Sequence, residues 1–398
     1  MLEINLNMYH AVALGAAMYW LGTLLTNRIA ALNRFCIPAP LVGGLCFAIV
    51  NTLLYASGLA VIQFDNMLET VFMVLFFCTV GFTVSIPQLA KGGKAVVLLL
   101  LLGIVMIVLQ NGLGGAVMKL MGKNPLYGIG CGSIALIGGP GTAAGIGPDL
   151  EAAGAAGAKV VSVAAATFGL VAGSLMGGPT ARLLIRSYDL KCTRAVHTPS
   201  DGTVPDEERM TTDSDRLIKG FMLILVGVGI GSSVSAWLTK ACGFSFPGYI
   251  GAMIVAVVIR NLMDMGRMEF PDREIDAFGN VFLSIFLSMA LAGLKLWQLV
   301  GLALPMIVCL LLQVVLMFLF AYFVVFRVMG KDYDAAVMTA GFIGFGMGAT
   351  SNAMANMQVV SRKYGPSPIA YFAIPMVGSL FIDFFNAAMI AFNIGLWS

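Results

Sequence analysis

Charge is what this chain has least of. Asp, Glu, Lys and Arg make up 11% of its 398 residues, against roughly 25% in soluble domains. Hydrophobic residues make up 59%. A soluble core cannot hide that much apolar surface, which excludes an ordinary soluble enzyme and leaves a polytopic helical membrane protein. Histidine is nearly missing: His10 and His197 are the only two, so a histidine metal centre or proton relay is not expected. The seven cysteines (Cys36, Cys46, Cys78, Cys131, Cys192, Cys242, Cys309) are odd in number and form no CxxC, and read as small buried hydrophobes. No Gly-x-Ser-x-Gly, HExxH or P-loop lysine occurs. Tyr333-Asp334 hints at an intramembrane aspartyl protease, but Pro148 breaks the required spacing in Gly145-Ile146-Gly147-Pro148-Asp149. The net charge of +3 offers no nucleic-acid surface. The N-terminus has Glu3 and no basic region, so the first apolar run is expected to stay as a span.

Apolar runs long enough to cross a bilayer fall near 8–27, 36–60, 67–84, 95–118, 160–184, 217–238, 246–262, 276–294, 299–326 and 369–396, five in each half. Two further stretches, 126–148 and 333–357, are apolar but dense in glycine. Glycine costs up to about 1 kcal/mol per helix position relative to alanine, so a short helix, a turn and a second short helix fit better than a span. The stretches echo each other. Met121-Gly122-Lys123 precedes Thr142 by the interval at which Met329-Gly330-Lys331 precedes Thr350, and Gly138-Gly139-Pro140-Gly141-Thr142 lies over Gly346-Met347-Gly348-Ala349-Thr350. Ile37-Pro38 resembles Phe246-Pro247, and Gly173-Ser174-Leu175 resembles Gly378-Ser379-Leu380. A duplicated chain with an irregular turn in each half follows.

The distribution of cations orients it. With the N-terminus outside and both stretches re-entrant, Lys119, Lys123, Lys159, Lys240 and Lys295 lie outside and every other Lys and Arg of the 23 lies inside. The expected architecture is therefore an all-α polytopic membrane protein. It has two inverted repeats of five transmembrane helices, each with a re-entrant Gly-rich hairpin. The repeats are 1–186 and 217–398, the linker 187–216 is cytoplasmic, and both termini are extracytoplasmic.

Hairpin tips are the first candidates for chemistry. Free N–H groups at Gly139, Gly141, Gly348 and Ala349 can hold a carboxylate, and free carbonyls such as that of Gly346 can hold a bare cation. Thr142, Thr350, Ser351 and Asn352 add side-chain donors and acceptors. Close helix packing is the competing use of such glycines. Asp383, in the middle of the last span, needs a cation, an amine, a proton or a basic partner, because a mid-membrane carboxylate costs at least about 2.5–3.5 kcal/mol. Asn386 shares its face. Asn280, Ser284 and Ser288 form one polar stripe, for a pathway or for interhelical bonding. Gln110-Asn111 and Gln313 read as packing residues, Asp149 and Glu151 as solvated at the outer face, and Lys295 as snorkelling. No ATP-binding domain is present, so uphill movement of a solute has to draw on an ion gradient.

Several segments resemble the bacterial sodium/glutamate symporter family. They are Gly341-Phe-Ile-Gly-Phe-Gly-Met-Gly-Ala-Thr350 with Ala353-Met-Ala-Asn-Met357, Asn280 through Trp297, Thr167-Phe-Gly-Leu-Val171 with Gly177-Gly-Pro179, and Pro375-Met-Val-Gly378 with Phe381-Ile-Asp383. The likeness covers about Ile37 to Asn393. It implies a homodimer in the inner membrane and sodium-driven uptake of L-glutamate or a related acidic amino acid, with no cofactor beyond Na+ as coupling ion. The substrate candidates are then Gly139, Gly141, Thr142, Gly348, Ala349, Thr350, Ser351, Asn352, Asp383 and Asn386, and the sodium candidates Gly346, Thr350, Ser284 and Asp383. Two positions depart from the family pattern. Pro140 stands where the first loop often has histidine, and Ser351-Asn352 replaces a Pro-Thr pair in the second. The alternatives are a channel lined by the two half-spanning hairpins and a symporter for another carboxylate.

Overall fold

The structure, a computed structural model, describes residues 2–35, 37–87, 93–192, 214–242, 248–299 and 301–397. The described residues hold helices and one parallel pair of strands, β1 (Leu2–Leu6) and β2 (Ala60–Phe64), which runs in register from Leu2↔Ala60 to Leu6↔Phe64. The all-α expectation missed this pair because five-residue strands give too short an alternation to read. Asn51 locks it, accepting from Ile62 N at 2.9 Å and donating to Ile62 O at 3.1 Å.

The first half holds α1 (Met8–Arg28), α2 (Ala39–Ala56), α3 (Met67–Phe82) and α4 (Gly93–Leu120). A short α5 (Leu126–Ile129) then runs into a π-helical turn (Gly130–Ile134), followed by α6 (Gly139–Ala152) and α7 (Ala158–Ser187). The second half follows. It has α8 (Ser214–Cys242), α9 (Gly248–Met265), α10 (Asp272–Ala292) and α11 (Ala303–Phe320, continued to Val328 through a π turn). The broken pair α12 (Tyr333–Met347) and α13 (Thr350–Tyr364) follows, then α14 (Pro368–Met376), a π turn (Val377–Phe381) and α15 (Ile382–Trp397).

Among the described residues, eight helices are long and apolar enough to span a bilayer, which makes this a multi-pass membrane protein. Two of the ten expected spans fall short by that measure. α3 has 16 residues, and the last run, helical from Pro368 to Trp397, changes its winding in a π turn at Val377–Phe381 just after Pro375. Proline removes a backbone donor and crowds the preceding turn, which is why an apolar run of full length need not be one regular helix.

Packing sorts the helices into two groups. The first three helices of each half, α1, α2, α3, α8, α9 and α10, pack on one another. The fourth helix, the broken pair and the last helix of each half form the other group. An apolar cluster of Leu75, Phe82, Ile224, Ala256 and Phe282 lies wholly inside the first group. The expected linker 187–216 falls for the most part outside the described residues, as does the Phe246-Pro247 echo.

Candidate functional site

Each Gly-rich stretch closes on itself. Tyr127 Oη donates to Ala156 O at 2.7 Å, so the start of α5 lies beside the end of α6. Tyr333 donates to Gly365 O, and Ser367 Oγ donates to Asp334 Oδ1 at 2.6 Å, so α12 begins where α13 ends. The chain turns at Ile137–Gly138 in the first stretch and at Gly348–Ala349 in the second. The two turns meet. Gly139 has φ +68°, and a Cβ placed on it would sit 3.1 Å from Gly348 O. Any other residue there would be strained in backbone and crowded in side chain.

A cavity of about 650 Å³ lies at this meeting point, between the two helix groups. The second group supplies the turn residues Gly139, Pro140, Gly141, Thr142, Gly348, Ala349, Thr350 and Ser351, with Asp383 beside them. The first group supplies Thr79 and Thr83 from α3, Pro38 and Pro40 at the start of α2, and Asp276, Asn280 and Ser284 from α10. Asp276 and Asn280 are exposed, so solvent reaches the cavity from the end of the molecule where α2 and α10 begin. Among the described residues, two carboxylates line the space and no Lys, Arg or His does. Positive potential comes from the backbone instead. The N-termini of α6 and α13 both open onto the cavity, and neither has a side-chain cap. The N–H groups of their first turns form ready anion sites. Those of Gly348 and Ala349, expected to be free, instead both donate to Gly344 O and close the end of α12. Asp383 has no side-chain hydrogen bond or ion pair among the described residues.

Three predicted site residues lie outside this lining. Asn352 is fully buried, and its amide donates to Leu170 O at 2.7 Å and Ser174 Oγ at 2.8 Å, fastening α13 to α7. Asn386 donates to Ser133 O at 3.1 Å in the π turn of the first stretch. The Gly346 carbonyl accepts from Gln110 Nε2 at 2.9 Å. A side chain that fits a tip by type can be drawn into packing when a carbonyl comes within reach, because an unpaired buried amide costs about 1–3 kcal/mol. Gln110 and Asn111 hold both stretches to α4, Asn111 by accepting from Ser133 N at 3.0 Å, and Gln313 donates to Gln110 O at 2.7 Å.

The polar stripe on α10 is displaced by one turn. Asp276, Asn280 and Ser284 face the cavity, while Ser288 is buried away from it. Sequence reasoning missed Asp276, although it stands four residues before Asn280 on the same face. It also missed Thr79 and Thr83, whose run looks uniformly apolar.

Two polar links join the groups at the opposite end. Lys159 Nζ meets Glu69 Oε1 at 2.7 Å, linking α7 to α3. Tyr249 Oη of α9 donates to Asp149 Oδ2 at 3.2 Å. Asp149 is thus partly buried rather than freely solvated, and burial pushes its pKa up to about 6 against the opposing pull of the Tyr249 bond. Glu151 accepts from Lys159 N at 3.1 Å. Asp149 and Asp334 have separate partners, so no facing protease pair is formed.

A multi-pass membrane protein with a solute-sized polar cavity between two helix groups is the class these features define. A family model described as Sodium/glutamate symporter matches residues 4–366. A sodium/glutamate symporter of Escherichia coli (strain K12) is 39% identical over 383 residues, covering 93% of both chains. One from Haemophilus influenzae is 37% identical over 394 residues, covering 96% of both. The chain belongs to the sodium/glutamate symporter family, a family of transporters and not of enzymes. Among solved structures, a sodium proton antiporter of Methanocaldococcus jannaschii covers 97% of this chain and 95% of its own, with TM-score 0.45 and 14% identity. A likeness at that level transfers no function.

Proposed function

We infer that the chain is a sodium-coupled secondary transporter that imports L-glutamate, or a related acidic amino acid, across the bacterial inner membrane by alternating access. The observation that carries this is the cavity itself. Both turns meet there beside the unpaired Asp383, and no cationic side chain lines it. In this reading the substrate carboxylates sit on the N–H groups of Gly139, Gly141, Thr142, Thr350 and Ser351. Asp383 receives a cation, either Na+ or the substrate ammonium, and Thr350 and Ser284 contribute oxygens to sodium. An intramembrane carboxylate without a protein partner is supported only by such a cation or a proton. Asn352, Asn386 and Gly346 act in this scheme by holding the turns in place.

The halves are read as inverted repeats whose Gly-rich stretches re-enter from opposite sides. The joined ends of each stretch and the touching turns support this. Positive-inside asymmetry supports cytoplasmic placement of the end that bears Arg260, Arg267 and Lys363, with both termini outside. The group carrying both turns moves against the first group, and the chain works as a homodimer, as the family resemblance implies.

The test is uptake of labelled L-glutamate into proteoliposomes under an inward sodium gradient, with potassium-only and proton-gradient controls. Accumulation above equilibrium only with sodium, lost in Asp383→Asn and Thr350→Ala variants that still fold, is the expected result. Downhill flux without accumulation, or normal uptake in both variants, would overturn the reading.

A further inference from the structure

A second pocket lies far from the transport cavity, between the ends of α7 and α13. It has a volume of about 560 Å³ and is lined by Arg182, Arg186 and Lys363 together with Pro179, Leu183 and Val359. Among the described residues no acidic side chain lines it, and none of the three cations has an ion-pair partner. Lys363 lies over the Tyr364 ring at 5.6 Å. Three cations without a described acidic partner, converging on an apolar wall, are an unusual use of charge in a chain with so little of it. We propose that this pocket binds an anionic phospholipid, its phosphate held by Arg182, Arg186 and Lys363 and its acyl chain laid along the apolar wall.

The arrangement along α7 points to a lipid rather than to a soluble anion. Leu175, Pro179, Arg182 and Arg186 follow one another on a single helix face, apolar first and basic at the end. Leu175 is 51% exposed and Val359 on the facing helix 64% exposed. A soluble anion has no use for that apolar approach. Depth agrees with the chemistry. α7 has 30 residues, which is about 45 Å at 1.5 Å per residue, against a hydrocarbon core of about 30 Å. Its last turns therefore stand in the headgroup layer, where basic pockets between helices attract anionic lipid. A bound lipid bridges α7 to the outer arm of the second Gly-rich stretch and reinforces the link that Asn352 and Asn356 already make. The proposal does not depend on which solute the protein moves.

The test uses the full-length purified protein after delipidation, with phosphatidylglycerol, phosphatidylethanolamine or inorganic phosphate added. Thermal stability and native mass spectrometry are the readouts. Phosphatidylglycerol is expected to raise Tm and to remain bound, while phosphatidylethanolamine and phosphate do neither. The Arg182→Gln, Arg186→Gln, Lys363→Gln variant is expected to lose on the order of 100-fold in affinity for it, about 3 kcal/mol at tenfold per 1.4 kcal/mol. If that variant does not fold, Lys363→Glu alone is measured, with Lys331→Glu at the same end of the molecule as control. Equal stabilisation by both lipids, an equal shift with phosphate, or unchanged affinity in the variants overturns the proposal. So does loss of dimer in the variants with no change in lipid binding, which would assign the face to a second copy of the chain.

Discussion

Removing the Glu69 carboxylate tests how the two helix groups are held. Glu69 on α3 and Lys159 on α7 belong to different groups and meet at 2.7 Å, with side chains 9% and 13% exposed. Taking away one partner of a pair buried this deeply leaves an uncompensated charge and costs about 3–5 kcal/mol. Replacing both by neutral residues of similar shape leaves no orphan and is close to neutral. Glu69→Gln and Lys159→Met should therefore each be severe alone and mild together, with a coupling energy of about 6 kcal/mol. If one group slides past the other during transport, the pair exists in one state and breaks in the next. A loss of about 3 kcal/mol then shifts the ratio of the states on the order of 100-fold away from the one described here. Thr83 lines the cavity near its solvent-accessible end and can report this. In a background without other reactive thiols, a Thr83→Cys side chain would be labelled by an impermeant maleimide applied from each face of the membrane. Both single variants should slow labelling from the Thr83 side, and the double variant should restore it. Singles that label at the parent rate, or a double as slow as the singles, would show that the pair holds nothing.

Asp149 gives a pH prediction. Its folded pKa of about 6 lies above the ordinary 3.8, so its contribution is fully present below pH 3.8 and is lost as pH rises through about 6. Thermal stability should fall across that window, and Asp149→Asn should flatten the fall. Gly169→Ala would place a methyl 2.5 Å from Met347 O and 2.9 Å from Leu136 Cδ2. It should cost about 1–3 kcal/mol, visible as a lower Tm together with slower uptake because Met347 precedes the second turn. Asn352→Ala should cost about 1–3 kcal/mol through its two lost bonds to α7. A drop in uptake at unchanged Tm would instead mean that the side chain touches solute. Asp276→Asn should alter the sodium dependence of uptake with little effect on Tm, since the residue is exposed to the cavity; equal sodium curves would remove it from the site.

Particular residues show why part of the site was legible and part was not. Gly139, Thr142, Gly348 and Thr350 line the cavity together, and the sequence singles them out because helix-breaking composition recurs with the same spacing in both halves. Asp383 lines it too, and stands out in sequence as a lone carboxylate in an apolar run. Asn352 and Asn386 looked alike in sequence to Thr350 and Asp383, yet their amides reach Leu170 O and Ser133 O, partners far away in the chain. Thr79, Thr83 and Asp276 belong to helices whose pattern gives no hint of which face meets the turns.

By itself the sequence determined what depends on local composition. Sparse charge made the chain a membrane protein, run length set the number of apolar segments, and glycine density marked where helices break. Tertiary structure decided what depends on distance between segments. The last apolar run changes its winding at a proline and a π turn, and short strands pair only because α1 and α2 bring Leu2 beside Ala60. The two turns touch at Gly139 and Gly348, and one polar face of α10 rather than its neighbour is turned to them. A hydrogen bond or an ion pair acts over a few ångströms, and no local pattern records which distant residue will arrive within that reach.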